Sequence, residues 1–150
     1  MENITPSNIE ELKKLANCKS SWRERLRAVK ILSKYDCQQS RDILTRLAIH
    51  DPVFKVKEAA VHATQMLKIT KNGKAIYLGK KPKGNLVKDI NKKLLKVREA
   101  LPEEFTIEEF KNKFSIIYPE VYDLYEGDKE KRFDKWLQGV ISALPRKKQD

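Results

Sequence analysis

The chain is expected to be all-α: two similar helical hairpins, a connector with room for one short hairpin of strands, and a small C-terminal helical bundle. Three observations predict this class. Residues 9 to 36 and 41 to 68 form a near-repeat, apolar residues recur at helical spacing beyond residue 86, and helix-start signals punctuate the chain. Composition agrees. Of 150 residues, 40% are apolar and 35% charged, with five Gly and six Pro, a balance that suits a helical chain able to bury a core.

The near-repeat sets the first four helices. Leu12, Leu15 and Ala16 fall over Leu44, Leu47 and Ala48 at an offset of 32, and Trp22, Ala28, Val29 and Leu32 fall over Val53, Ala59, Ala60 and Ala63 at 31. One residue of slack in the turn reconciles the two. A period in this range belongs to stacked helical hairpins, each too thin to bury its own apolar face. Helices are expected at 8 to 17, 22 to 35, 41 to 50 and 52 to 68. Ser7 with Glu10 and Ser21 with Glu24 fit a capping box, in which hydroxyl and carboxylate satisfy two orphan amides reciprocally. Ser40 is a plausible cap without the box. Asp51 can cap the fourth helix, and Pro52 suits its first position, where no N–H is needed.

The second copy reads Leu44-Thr45-Arg46-Leu47-Ala48-Ile49-His50-Asp51-Pro52, then Val56-Lys57-Glu58-Ala59-Ala60-Val61-His62-Ala63. It resembles a HEAT repeat, in which Asp and Pro sit at the turn, Val and a basic residue open the second helix, and paired alanines let helices approach closely. The first copy departs from the pattern, with Ser20-Ser21-Trp22 for Asp-Pro and Leu26 at the usual basic position. It reads as a divergent or capping repeat. The resemblance covers about half the chain and implies a fold rather than an activity.

Between 69 and 85, Asn72-Gly73, Gly79, Pro82 and Gly84 break every period. Lys74-Ala75-Ile76-Tyr77-Leu78 is a candidate extended piece or hairpin arm. The organisation expected is therefore a repeat pair at 1–68, a basic connector at 69–85 and a helical domain at 86–150. In the last part, Leu86, Ile90, Leu94, Val97 and Leu101 make the apolar stripe of a helix at 86 to 101, with Asn85 a possible cap. Thr106 with Glu109 opens a helix at 107 to 117. An aromatic-rich stretch from Phe105 to Tyr125 includes a helix at 120 to 126, and Phe133, Trp136, Leu137, Val140, Ile141 and Leu144 line the last helix, at 129 to 144.

Charge is the second informative feature. The chain has 32 basic and 21 acidic residues, yet residues 68 to 98 alone hold eleven basic side chains against one acid, Asp89. Outside that window and the tail Arg146-Lys147-Lys148, the chain reads as close to neutral. Lys88, Lys92 and Lys96, with Glu99, fall on one ridge of the helix at 86 to 101, opposite its apolar stripe, and Lys93 lies beside them. Like charges four apart repel by a few tenths of a kcal/mol per pair, a cost that a phosphate backbone can repay. Lys80, Lys81, Lys83, Lys88, Lys92, Lys93 and Lys96 are the candidate nucleic-acid contacts. Lysine rather than arginine dominates, so contacts to phosphate rather than base readout are expected; a solvated lysine face is the plain alternative. Tyr77 could stack on an unpaired base or simply pack.

HEAT repeats commonly serve protein association, and the resemblance places a non-enzymatic interaction module with a protein partner first. Lys57, Glu58, His62 and Gln65 on the second helix of the second copy are the candidate contacts. A phosphate-backbone nucleic-acid binder is the alternative. HEAT-like DNA glycosylases are a remote one, since the repeats lack an identifiable catalytic Asp flanked by aromatic residues.

Other chemistry finds little footing. In Gly73-Lys74-Ala75-Ile76-Tyr77-Leu78-Gly79-Lys80-Lys81, five residues separate the glycines where a phosphate loop needs four, and Lys81 stands where Ser or Thr would hold magnesium. His50 and His62 are twelve apart, without metal-site spacing. Cys18 and Cys37 match no ligand spacing and read as reduced thiols. A helix-turn-helix at 107 to 126 would set Glu120, Asp123 and Glu126 against phosphate, which disfavours it. No metal, cofactor or small-molecule ligand is implied. No run of about 18 apolar residues predicts a membrane span, and Met1-Glu2-Asn3-Ile4-Thr5-Pro6 lacks the blocks of a signal peptide, so cytoplasmic residence is expected.

Overall fold

A computed structural model describes residues 5–145; the tail Arg146-Lys147-Lys148 and the segment Met1 to Ile4 lie outside the described residues. The fold is all-α, with one two-stranded exception among the described residues. The chain divides into two compact units, Met1–Lys81 and Pro82–Asp150, so the division falls inside the basic stretch expected to be a connector.

The first unit contains α1 (Ile9–Ala16), α2 (Trp22–Leu32), α3 (Gln38–His50), α4 (Phe54–Met66), β1 (Thr70–Lys71) and β2 (Lys74–Ala75). Helix α1 packs on α2 and α3 on α4, while α2 also meets α4 and α1 meets α3. The residues paired by the sequence offset occupy this core. Leu12 and Leu44, Ala16 and Ala48, Trp22 and Val53, Val29 and Ala60, and Leu32 and Ala63 are all buried, whereas Leu15 and Ala59 are each half-buried beside buried counterparts, Leu47 and Ala28.

The caps differ in part from expectation. Ser21 Oγ accepts from the Glu24 amide at 3.3 Å, but the Ser21 amide donates to the Cys18 carbonyl instead of the Glu24 carboxylate, so only half of the expected box forms; α1 opens at Asn8 with no side-chain cap, so Ser7 and Glu10 form no box there. Ser40 is not a cap. Helix α3 begins earlier, at Gln38, and the buried Ser40 hydroxyl donates 2.6 Å to the Leu32 carbonyl at the end of α2, which also accepts from the Tyr35 amide. Helix α4 begins at Phe54, after rather than at Pro52, and Asp51 Oδ1 accepts from the Val53 amide at 2.9 Å.

That same carboxylate carries the unit's main polar contact. Arg25 Nε donates to Asp51 Oδ2 at 2.8 Å and Nη2 to Oδ1 at 3.3 Å, while Nη1 donates to the Cys18 carbonyl at 2.7 Å. Both side chains are buried. One guanidinium thereby joins the turn that follows α1 to the turn that follows α3.

Helix α4 ends in a Schellman arrangement. The Lys68 amide donates to Gln65 O and the Ile69 amide to Thr64 O, which needs a left-handed residue at 68; Lys68 has φ 56°. Beyond it, Thr70 pairs with Ala75 and Lys71 with Lys74 across the two-residue turn Asn72-Gly73, at φ 54° and 76°, the mirror-image turn that matches strand twist. The expected hairpin arm at 74 to 78 is strand only at Lys74–Ala75. Ile76 beyond it is buried, and its carbonyl accepts 2.9 Å from Gln65 Nε2.

The second unit contains α5 (Ile90–Glu99), α6 (Ile107–Ile117), α7 (Pro119–Lys129), a 3-10 turn at Glu130–Arg132 and α8 (Phe133–Ala143). Helix α5 starts four residues later than expected. The Leu86 and Val87 amides, which would have been its first turn, both donate to Tyr125 Oη, at 3.0 and 3.1 Å, and Asp89 takes a left-handed conformation at the cap. Asn85 therefore caps nothing. Thr106 and Glu109 form the full capping box of α6. The core joins Ile90, Leu94, Val97 and Leu101 to Phe110, Phe114, Tyr125, Phe133, Leu137 and Leu144. Edge-to-face contacts link Phe114 to Tyr122 and Tyr122 to Phe133, and Tyr125 stacks on Trp136 at 4.8 Å. The aromatic-rich stretch is core.

Candidate functional site

The seven candidate lysines divide between the units. Lys80 and Lys81 close the first and Lys83, Lys88, Lys92, Lys93 and Lys96 belong to the second. Because α5 begins at Ile90, Lys88 lies before the helix rather than on its ridge. Lys92 and Lys96 keep the expected register, exposed on the face opposite Leu94 and Val97. Among the described residues, no carboxylate pairs with either ammonium. Lys93 differs. It is half-buried, with Nζ 5.3 Å from the centre of the Tyr118 ring, a cation–π contact within its own unit. Lys80, Lys81, Lys83 and Lys88 are all exposed.

The protein-facing candidates also separate. Glu58 and His62 are exposed on α4 one turn apart, and Lys57 is half-buried beside them. Gln65 is tied to the hairpin arm through Ile76, so its amide supports the fold. Two apolar side chains flank that bond in sequence and are open to solvent: Met66 at 55% and Tyr77 at 80% exposure.

Two basic features escape a reading by charge windows. Along α2 and the turn that follows it, Arg23, Arg27, Lys30 and Lys34 are all exposed at spacings of four, three and four, with Arg23 and Lys55 both over the Trp22 ring, at 4.4 and 5.8 Å. The intervening apolar residues dilute this row in the sequence, although the helical spacing was available to find it. The second feature, an open groove of about 660 Å³ in the first unit, runs between α3 and the segment 68–71. Its basic members are Arg41, Arg46, His50, Lys68 and Lys71; only folding brings its two walls together.

The perturbed groups are structural. Lys111 is held above its ordinary range by a hydrogen bond to Asp134, 2.9 Å away on α8; burial pushes the Tyr122 phenol up. The Asp36 carboxyl is pulled down by its hydrogen bonds to Arg41, which is raised in return. Helix α7 turns Asp123 and Tyr125 inward and leaves Glu120 exposed, a surface poorly matched to phosphate. Among the described residues, no three His, Cys, Asp or Glu are grouped to hold a metal ion, and no helix is long and apolar enough to cross a membrane.

The features define an all-α protein of two helical units with exposed rows of cations. Compared with protein-family models, curated proteins and solved structures, the chain finds no match in any of the three.

Proposed function

We propose that this chain is a non-enzymatic binding module whose first unit is a pair of HEAT-like hairpins and whose ligand is the phosphate backbone of nucleic acid. The observation that carries the ligand is the row Lys92 and Lys96 on α5, exposed and without a carboxylate partner among the described residues. Lys83 and Lys88 are exposed in the same unit. The HEAT-like reading draws support from the pairing of α1 with α3 and α2 with α4 and from burial of the offset-related residues. Cytoplasmic residence belongs to the same proposal, supported by Cys18 and Cys37 as free thiols.

Fluorescence-anisotropy titration of labelled single- and double-stranded DNA and RNA at two salt concentrations tests it. The expected result is saturable binding that weakens with salt, since each phosphate contact releases counterions. Lys88→Glu, Lys92→Glu and Lys96→Glu together should weaken binding at least about tenfold and lower the salt slope by about one per lost contact. Absence of binding at low salt would overturn it.

A protein partner is the second reading, favoured by the open Met66 next to His62 and Glu58 on α4. In that case Glu58→Arg with Met66→Asp should abolish association with the partner, and the lysine reversals should leave it intact.

A further inference from the structure

The groove between α3 and residues 68–71 has the chemistry of an anion site. Helix α3 lines one wall with Arg41, Thr45, Arg46 and His50, and the chain leaving α4 lines the other with Lys68 and Lys71. Its single lining carboxylate, Asp42, is engaged 2.8 Å from Gln38 Nε2. Arg41 is held in place by Asp36, whose Oδ2 lies 3.0 Å from Nη2, and by the Leu67 carbonyl at 3.2 Å. Among the described residues, Arg46, Lys68 and Lys71 have no ion-pair partner. With Asp36 and Asp42 set against Arg41, Arg46, Lys68 and Lys71, the groove keeps an excess of two positive charges.

Lys68 adds an independent observation. It occupies the left-handed position that ends α4, at φ 56°, where glycine is the usual and less strained residue. Strain kept at a position with a cheaper alternative is a pointer to use, and what lysine supplies there and glycine cannot is a cation on the groove wall.

We propose that this groove binds consecutive phosphate groups, with the guanidinium fork of Arg46 on one wall and the ammoniums of Lys68 and Lys71 on the other; the Nε and Nη2 edge of Arg41 is already taken by Asp36. Arginine forks match phosphate oxygens, and lysines act as point charges. A volume of about 660 Å³ falls in the range of small-ligand sites, about 300–1,000 Å³. The groove lies in the first unit and needs nothing from the α5 row.

The test uses the full chain carrying Lys92→Glu and Lys96→Glu, so that α5 contributes no binding. Sodium tripolyphosphate and a five-nucleotide thymidine oligomer are titrated separately at low salt while backbone amide shifts are followed by NMR. Saturable shifts at residues 41–50 and 68–71 are expected, and Arg46→Ala with Lys71→Ala should weaken binding at least about tenfold. A response to tripolyphosphate alone assigns a small oligophosphate, and a response to the oligomer as well assigns a polymer backbone. Lys68→Gly should weaken binding while raising the urea midpoint, which separates loss of the cation from loss of the fold. Absence of saturable shifts with both probes, or shifts indifferent to Arg46→Ala with Lys71→Ala, overturns the proposal.

Discussion

Replacing Arg25 with Met should cost the first unit about 3–5 kcal/mol, the usual penalty for removing one partner of a buried ion pair. The Asp51 side chain is 1% exposed and that of Arg25 5%, so water cannot take the guanidinium's place. The variant would leave the carboxylate with the Val53 amide and would strip the Cys18 carbonyl of a donor at 2.7 Å. A unit of this size is expected to be stable by roughly 4–12 kcal/mol, at 0.05–0.15 kcal/mol per residue. The loss is thus a large share of the total. Trp22 and Trp136 are the chain's two tryptophans, one in each unit, so urea unfolding followed by Trp22 fluorescence in a Trp136→Phe background reports on the first unit alone. Asp51→Asn keeps an acceptor for the Val53 amide but leaves the guanidinium charge unanswered. The double variant, with neither charge buried, should be less destabilised than the sum of the singles by more than about 1 kcal/mol. If Arg25→Met cost under about 1 kcal/mol, or the two effects simply added, the pair would not be the tie between the turns.

Three further outcomes are expected. Gly139 is an exposed interior position of α8 with open space where a Cβ would stand, so Gly139→Ala should stabilise the second unit by about 0.5–1 kcal/mol, read from its thermal or urea midpoint. Tyr125→Phe removes the acceptor of the Leu86 and Val87 amides and should cost about 1–3 kcal/mol, with faster amide exchange at those two residues. Asp36 has a folded pKa below its ordinary 3.8. Its stabilising contribution is present above that value and is lost as pH falls through the folded pKa; Asp36→Asn should flatten the stability profile in that acid window, and an unchanged profile would refute the Arg41 contact.

The legible parts of the fold were those written in local spacing. Leu12 and Leu44, and Val29 and Ala60, were readable as buried because apolar residues at helical spacing mark the face a helix turns inward. Thr106 and Glu109 were readable because a capping box is complete within four residues. Illegible parts depended on distant partners. Ser40 looks like a cap until the Leu32 carbonyl is brought to it, and the start of α5 is set by Tyr125, 38 residues beyond Val87. Neither partner carries a local signal.

The same distinction governs the charged surfaces. A window count finds Lys92 and Lys96 because their cations are close in the chain, but it also gathers Lys93, which the structure turns onto Tyr118, and Lys88, which precedes the helix. It passes over Arg46, which lines one groove with Lys71, 25 positions further on. Local cation density measures how much a segment can attract phosphate; how the cations are arranged decides whether the attraction makes a site. Lys68 joins the two views, since it lies in the dense window yet takes its place on the groove through a left-handed backbone. Substituting glycine there pits fold against ligand, because stability should rise as the groove loses a charge.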